Sequence, residues 1–458
     1  MQQRPNVIFI MADDMGYGDL GCINGGINHT PALDDLHRSS LRLSQGYAAS
    51  CVCAPSRAGF LTGRYPHRTG CTCLNEIHGL NHIAPGETTI ADLFAAAGYH
   101  TGLIGKWHCG HHGRFGPEHR GFQHVEAYHP LGMDYWRYTI DSNGTARPST
   151  GQYLTDHLTD CALRFLRAPR REPFFLHLAY YTPHRPLQPD QARLARYADR
   201  EDLTPGQRVV YAMIESMDHG IEQILSVLRE TGQEDNTILV FTSDNGPDSH
   251  SCHGLSPVRP NCGLRGGKYS AHDGGIRVPL MIRWPAGMLA GRDNHDLFHF
   301  VDFLPTLAAA CGVTIPTDLA LDGANRLPVW QDDATNCDPV RFWQWNRHHP
   351  YPNCNAAMRD GDWKLVYPAL DGYQAMTKAN VEMIQAKRPF ETTRPKELSL
   401  GPLAPPLLFN LRDDPSETND LAATHPQRVD RMTTALDAWF QDVMGDFGRA
   451  LDEQFPDS

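Results

Sequence analysis

The sequence predicts an α/β fold, a large β-sheet flanked by helices, followed by a smaller C-terminal α+β domain. Three observations carry this: apolar β-rich runs alternate with helical patterns through the first three quarters of the chain, the texture changes after about Pro328, and 458 residues exceed what a single core usually organises. The expected division is a first domain over 1–335 and a second over 336–458.

The run at 7–11 reads as the first buried strand, too short for a signal-peptide core and followed by two aspartates. Further strands are expected over 101–104, 174–178, 237–242 and 278–282, as apolar runs of a sheet covered on both faces. The clearest helix spans 204–231, where Val210, Met213, Met217, Ile221, Ile224, Leu225 and Leu228 recur every three or four residues. Beyond Pro328, the runs around Trp343-Gln344-Trp345, Asp362 to Tyr367 and Leu407 to Leu411 read as short antiparallel strands, closed by an amphipathic helix over 428–443. The stretch 371–406 has no clear period and reads as an insertion. With 40 glycines and 34 prolines, long loops are expected at strand ends, where sites are usually built.

Composition narrows the function classes. A net charge of -12 leaves no basic field for nucleic acid or an anionic membrane, so an anionic substrate needs a local cluster of cations. No run approaches the roughly 18 apolar residues that span a bilayer. The chain as given reads as soluble, with no membrane partner: periplasmic or secreted if a leader was removed, otherwise cytoplasmic. Of 12 cysteines, setting one aside for chemistry leaves an odd number, so mostly reduced thiols are expected, with Cys71 and Cys73 left open. Two glycosylation sequons, at Asn28 and Asn143, matter only in a eukaryotic secretory pathway.

Several short motifs carry chemistry. Cys53-Ala54-Pro55-Ser56-Arg57 is followed by Phe60-Leu61-Thr62-Gly63, and a second stretch runs from Gly98 through Gly105-Lys106-Trp107-His108. Asp13, Asp14, Asp244 and Asn245 are hard oxygen ligands placed just after expected strands, a set suited to Ca²⁺ or Mg²⁺ rather than zinc. Taken singly they also read as caps or turns. Cys53 alone reads as a buried thiol, and Lys106 and Lys268 as solvated lysines. Arg57 lies one turn from Cys53 if the motif opens a helix.

Together these stretches resemble the formylglycine-dependent (type I) sulfatases of the alkaline phosphatase superfamily. The resemblance extends to Thr182-Pro183-His184, Ser243-Asp244-Asn245-Gly246, Arg265 to Lys268 and Gly274 to Pro279, covering the chain from Asn6 to about Trp284. Leu408 to Leu411 and Asp414-Pro415-Ser416-Glu417 resemble the family's C-terminal pattern. The resemblance implies a mixed, alkaline phosphatase-like sheet and a sulfuric ester hydrolase. It also implies Ca²⁺, with Mg²⁺ the alternative, at Asp13, Asp14, Cys53, Asp244 and Asn245, and a maturation enzyme that oxidises Cys53 to formylglycine. One hydroxyl of the hydrated aldehyde would attack sulfur and the other would let sulfate leave, an exit that a thiolate lacks. By the same resemblance Arg57 supports the hydrate, Lys106 and Lys268 clamp sulfate, His108 acts as base at release, and His184 with Lys268 protonates the leaving oxygen.

Other readings compete. His108, Cys109, His111 and His112 could suggest zinc, but no second cluster in a recognised pattern accompanies them, Cys252, His253 and Cys262 included. A phosphonate monoester or phosphodiester hydrolase shares the Cys53 to Arg57 core, and a silent glycan-binding protein would share the fold. For the substrate, His272, Arg347, His348 and Asn353 are the candidates, with Asn75, His78, Asp134 and Arg137 beyond them. Trp343, Trp345 and Tyr351 either stack on a sugar or aryl ring or, for the tryptophans, pack between domains. A sulfated carbohydrate is favoured and an aryl sulfate is the alternative.

Overall fold

The computed structural model describes residues 4–74, 80–110, 113–128, 134–331, 339–376, 378, 381–382 and 400–455. Asn75, His78, His111, His112, the expected boundary at 335 and most of the expected insertion lie outside them.

The strands in chain order are β1 (Asn6–Ala12), β2 (Leu41–Leu43), β3 (Gly46–Tyr47), β4 (His100–Lys106), β5 (His124–Tyr128), β6 (Thr139–Ser142), β7 (Thr145–Pro148) and β8 (Phe174–Ala179). They continue as β9 (Thr237–Ser243), β10 (Leu280–Arg283), β11 (Arg292–Asn294), β12 (Phe298–His299), β13 (Arg341–Gln344), β14 (Ala356–Asp360), β15 (Trp363–Tyr367) and β16 (Leu407–Asn410). Ten of them form one sheet in the order β11-β2-β10-β9-β1-β8-β4-β5-β6-β7. The centre, β9-β1-β8-β4-β5, is parallel, whereas β10 runs antiparallel to both β9 and β2, and β5, β6 and β7 form an antiparallel edge. The sheet is therefore mixed, as expected.

Alternation along β1 explains the layers. Ile8 and Ile10 point into a core with Leu158 and Ala162 of the helix Leu154–Arg167 and Met213, Met217 and Ile221 of the helix Pro205–Glu230. Val7, Phe9 and Met11 point the other way, toward Phe60 of the helix Cys53–Thr62 and Phe303 of the helix Phe303–Ala310. Both faces are covered, so the central strands can be apolar throughout. Thr204 caps the long helix in a reciprocal box with Gln207, with Pro205 at its first position. The strand expected over 278–282 begins only at Leu280: Pro279 has no N–H to give, and the Val278 N–H goes to Gly46 O at 3.0 Å.

The smaller sheet is antiparallel, β13-β14-β15-β16. One face takes Met432, Leu436, Trp439, Phe440 and Val443 from the helix Pro426–Gln454. That helix extends beyond the expected 428–443 because Phe447 and Leu451 continue its apolar stripe against Cys73 and Leu80. On the other face Trp343, Trp345 and Phe409 cluster with Tyr47 of β3, Tyr269 and Ile276. The eleven described cysteines are free. Asn28 is buried, with its Nδ2 donating to Asp19 O at 2.9 Å, so that sequon is closed off within this fold. Among the described residues no helix is long and apolar enough to cross a membrane.

Candidate active site

The parallel strands point their carboxyl ends at one edge of the sheet, the usual place for a site in such folds. β1 delivers Asp13 and Asp14, β4 ends on Lys106, β8 leads to His184, and β9 leads to Asp244 and Asn245. Asp14 follows the strand in a left-handed conformation, φ 63°. Gly105 is required beside Lys106: at φ 104°, a Cβ there would lie 2.0 Å from Ala179 O on the neighbouring strand.

Cys53 opens the helix Cys53–Thr62, so Arg57 does sit one turn along it. Gly59 lets this helix approach the chain at Ala49, whose Cβ would otherwise be 2.4 Å away. The Cys53 thiol donates to Asp13 Oδ1 at 3.3 Å and lies 3.8 Å from Asp14 Oδ1. The Arg57 guanidinium, fully buried, donates twice to Asp244 Oδ2, at 3.0 and 2.8 Å. Lys106 Nζ donates to Asp13 Oδ2 at 2.5 Å, and Lys268 Nζ to Asp14 at 2.7 Å. Three carboxylates and three cations are thus interleaved around residue 53.

Asp13, Asp14, Cys53 and His184 offer donor atoms within 4.8 Å of one another. Asp244 joins them by accepting the Asp14 N–H at 3.2 Å, and Asn245 by donating from Nδ2 to Asp14 Oδ1 at 2.8 Å. Asn245 Oδ1 is buried with no hydrogen-bond partner, a cost that a hard cation at this point would remove. The oxygen-rich donor set and this open acceptor fit a hard divalent ion. The zinc reading gains nothing: the Cys109 thiol is turned to Ala54 O at 3.8 Å, and His111 and His112 are not described.

The charges shape one another. Burial pushes the Asp244 carboxyl up to about 6, with Asp13 adding and Arg57 opposing. Asp14 goes the other way, because Lys268, His184 and Lys106 together outweigh its burial and hold it below the usual range. Burial, reinforced by Asp13 and Asp244, pushes the Cys53 thiol well up. This is an unfavourable setting for a thiolate. Burial and Lys268 bring the His184 imidazole down to about 3. Its Nδ1 lies 2.6 Å from Arg185 O and so carries the proton, which leaves Nε2 facing Asp14 Oδ2 at 3.7 Å. Tyr181 backs both His184, ring to ring at 4.5 Å, and Lys106, 5.1 Å from its centroid. His108 has left-handed backbone, φ 60°, and Nε2 at 2.6 Å from Leu74 O; it is not one of the four close donors.

The sulfatase family model matches residues 5–313, and those for the C-terminal regions of aryl-sulfatase and of N-sulphoglucosamine sulphohydrolase match 342–446 and 267–380. The chain belongs to the type I sulfatase family. This sulfatase is 28% identical to the N-acetylgalactosamine-6-O-sulfatase of Bacteroides thetaiotaomicron, over 95% of this chain and 93% of that one. It is 30% identical to human arylsulfatase A, over 91% and 83%. Among solved structures, Ps i-CgsB superposes with a TM-score of 0.80 at 28% identity, over 95% and 93% of the two chains. The protein is an enzyme that hydrolyses sulfate esters.

The residues proposed for the sulfatase's substrate are held differently from those around Cys53. His272 faces Glu417 Oε1 at 3.2 Å at the junction with the small sheet. Arg347 donates to Gln374 O at 2.9 Å, and His348 lies 3.2 Å from Ala375 O. Asn353 is half-buried with an unpartnered Oδ1. Asp134 accepts from Trp136 N and Arg137 N, both at 2.8 Å, as a turn residue, and Arg137 is exposed. Trp343 and Trp345 are buried where the small sheet meets Tyr47, Tyr269 and Ile276, the setting of the packing alternative. Sequence reading missed two pairs beside the site. Arg259 donates to Asp19 Oδ1 at 2.7 Å and to Asp14 O at 2.9 Å, bracing the first loop. Arg185 meets Asp248 Oδ2 at 2.9 Å. Arg185 adjoins His184 and Asp248 follows Asn245-Gly246 closely, which was the available signal.

Proposed function

We propose that this sulfatase cleaves a carbohydrate sulfate monoester, with residue 53 matured to formylglycine by a formylglycine-generating or equivalent enzyme. Asp13, Asp14, Asp244 and Asn245 would hold a calcium ion beside residue 53. The buried, unpartnered Asn245 Oδ1 among carboxylates next to Cys53 is the observation that carries this reading. When bound, the ion supplies positive charge that eases the approach of a nucleophile to an anionic sulfate; the matured residue supplies a hydrated aldehyde, whose two hydroxyls serve attack and release.

The remaining work falls to side chains of the chain itself. Arg57 fixes Asp244 by its paired donors. Lys106 and Lys268 approach from β4 and from the loop after β9, and hold the sulfate oxygens. His184 presents Nε2, takes up a proton there and passes it with Lys268 to the departing oxygen. His108 accepts the proton when sulfate is released. Residues 1–335 form the catalytic unit and 336–458 close over it. The carbohydrate assignment leans on relatives named for N-acetylgalactosamine-6-sulfate and on a solved structure of Ps i-CgsB with k-i-k-neocarrahexaose.

Peptide mass spectrometry of the Cys53 segment, from protein made with the maturation enzyme, should show the aldehyde. Cys53→Ala should lose at least about a thousandfold in kcat/KM and keep its melting temperature. Turnover is then compared across sulfated N-acetylhexosamines, nitrophenyl sulfate and a phenylphosphonate ester. Preference for the phosphonate would overturn the sulfate reading, preference for the aryl sulfate the carbohydrate reading, and an unmodified cysteine with full activity the nucleophile.

A further inference from the structure

The C-terminal motif Asp414-Pro415-Ser416-Glu417 resembles the family pattern yet has no place in the chemistry above. Its bonds lead back to the active site. Asp414 accepts the N–H groups of Thr418 and Asn419, both at 2.7 Å, and builds a tight turn that leaves Glu417 wholly buried at φ 53°. Glu417 Oε2 accepts the Asp273 N–H at 2.7 Å, and Glu417 O accepts from Arg265 at 2.7 Å. Lys364, on β15, closes the arrangement, with Nζ 2.9 Å from Glu417 Oε1 and 2.7 Å from Asp273 Oδ1. Between these anchors, Asn355 accepts the Ala271 N–H at 2.9 Å and donates to Tyr269 O at 2.9 Å.

The contacts to Arg265, Tyr269, Ala271 and Asp273 all fall on the segment that carries Lys268. That segment has no slack: a Cβ on Gly274 would lie 2.4 Å from Gly266 O, and one on Gly275 2.0 Å from Ser270 O. A displacement at Asp273 therefore reaches residues 266–270. Three non-glycine residues along this path have left-handed backbone, Tyr269 at 75°, Asn355 at 47° and Glu417 at 53°. Such backbone persists where surrounding contacts over-determine it, and it clusters at functional sites.

We infer that Glu417 and Asn355 are positioning residues for Lys268, setting from the small sheet where its ammonium stands against Asp14. The inference rests on the reading of Lys268 as a sulfate clamp, so the experiment separates the two. Matured enzyme is prepared as Glu417→Gln, Asn355→Asp, Lys268→Ala and the double variant Glu417→Gln/Lys268→Ala. Glu417→Gln keeps an acceptor for the Asp273 N–H; Asn355→Asp keeps the acceptor for Ala271, suits the left-handed backbone and serves if the first does not fold. Amide exchange over 265–273 should quicken in both single variants, and kcat/KM should fall about tenfold, more for substrates with poor leaving groups. Against Lys268→Ala, the added Glu417→Gln penalty should shrink below about twofold, because the group it positions is gone. A full multiplicative penalty in the double variant would make Glu417 a fold residue only and overturn the inference. So would wild-type kcat/KM in both single variants while Lys268→Ala is impaired. Wild-type activity of Lys268→Ala itself would instead overturn the clamp and the inference with it.

Discussion

The catalytic cluster and the junction cluster are both buried knots of carboxylates and cations, and they differ in what answers their acceptors. At the junction Asp273 meets Lys364 through Oδ1 and accepts from Tyr47 OH through Oδ2 at 2.8 Å, while Arg359 donates to Tyr47 and Arg277 stands 3.9 Å away. Burial alone would raise its carboxyl, but Lys364, Arg277 and Arg359 bring it down to about 2. Around Cys53 the same ingredients leave Asn245 Oδ1 without a partner. At the junction even Glu417 Oε1, which lacks a well-directed hydrogen bond, has the Lys364 ammonium at 2.9 Å, so that knot closes by charge and fastens the small sheet to the 265–277 segment; the open one has capacity for a ligand. The difference lies in one acceptor more than in net charge.

Breaking the closed knot should produce the largest change in stability. Asp273→Asn leaves Lys364 with one carboxylate in place of two and should cost about 3 kcal/mol in urea unfolding. The carboxyl is depressed on folding from 3.8 to about 2, so the wild-type advantage should be full above about pH 4 and vanish as pH falls toward 2. Unchanged stability at neutral pH would mean that packing, rather than charge, fastens the small sheet to the 265–277 segment.

How much of this was legible in the sequence follows from distance along the chain. Asp13, Asp14, Cys53, Arg57, Lys106, His184, Asp244 and Asn245 each sit in a short motif at or soon after the end of a strand or in the first turns of a helix, Lys268 sits in a glycine-rich loop well after β9, and the fold brings them together. The apolar runs revealed the central strands for the same local reason, and the three- and four-residue apolar spacing marked the helix Pro205–Glu230 to within a residue. The junction was not legible. Glu417 stood in a visible motif, but its partners Asp273 and Lys364 come from two other stretches, and no local pattern joins them. The ion pair of His272 was hidden for the same reason, since its acidic partner Glu417 is remote in sequence.

A third buried acid sharpens the contrast, because among the described residues no cation stands within ion-pair distance of it. Asp218, in the helix Pro205–Glu230, accepts only the Leu33 and Ala32 N–H groups, at 2.7 and 3.2 Å. Burial raises its carboxyl to about 7 against the pull of those two bonds, with Asp34 and Glu222 adding to the rise. The sign is opposite to that of Asp273. A carboxyl raised on folding from 3.8 favours the fold at low pH and loses that contribution as pH climbs toward 7, at about 1 kcal/mol per pH unit. Asp218→Asn should flatten this slope in thermal melts taken from pH 4 to 8. An unaltered slope would show that another group titrates there.

The smallest expected effect decides what the junction aromatics do. Trp343 is 2% exposed, donates from Nε1 to Ala48 O at 2.8 Å and lies 5.4 Å from the Tyr47 ring. Trp343→Phe keeps an aromatic ring but removes the donor and part of the volume, so about 1 kcal/mol of stability should be lost. Because the indole is buried against Tyr47, Ala48 and His299, kcat/KM for any sulfated sugar should stay within about twofold of wild type. A large rise in KM at unchanged stability would instead make Trp343 a sugar platform, and the junction would then be part of the binding site as well as a fastening.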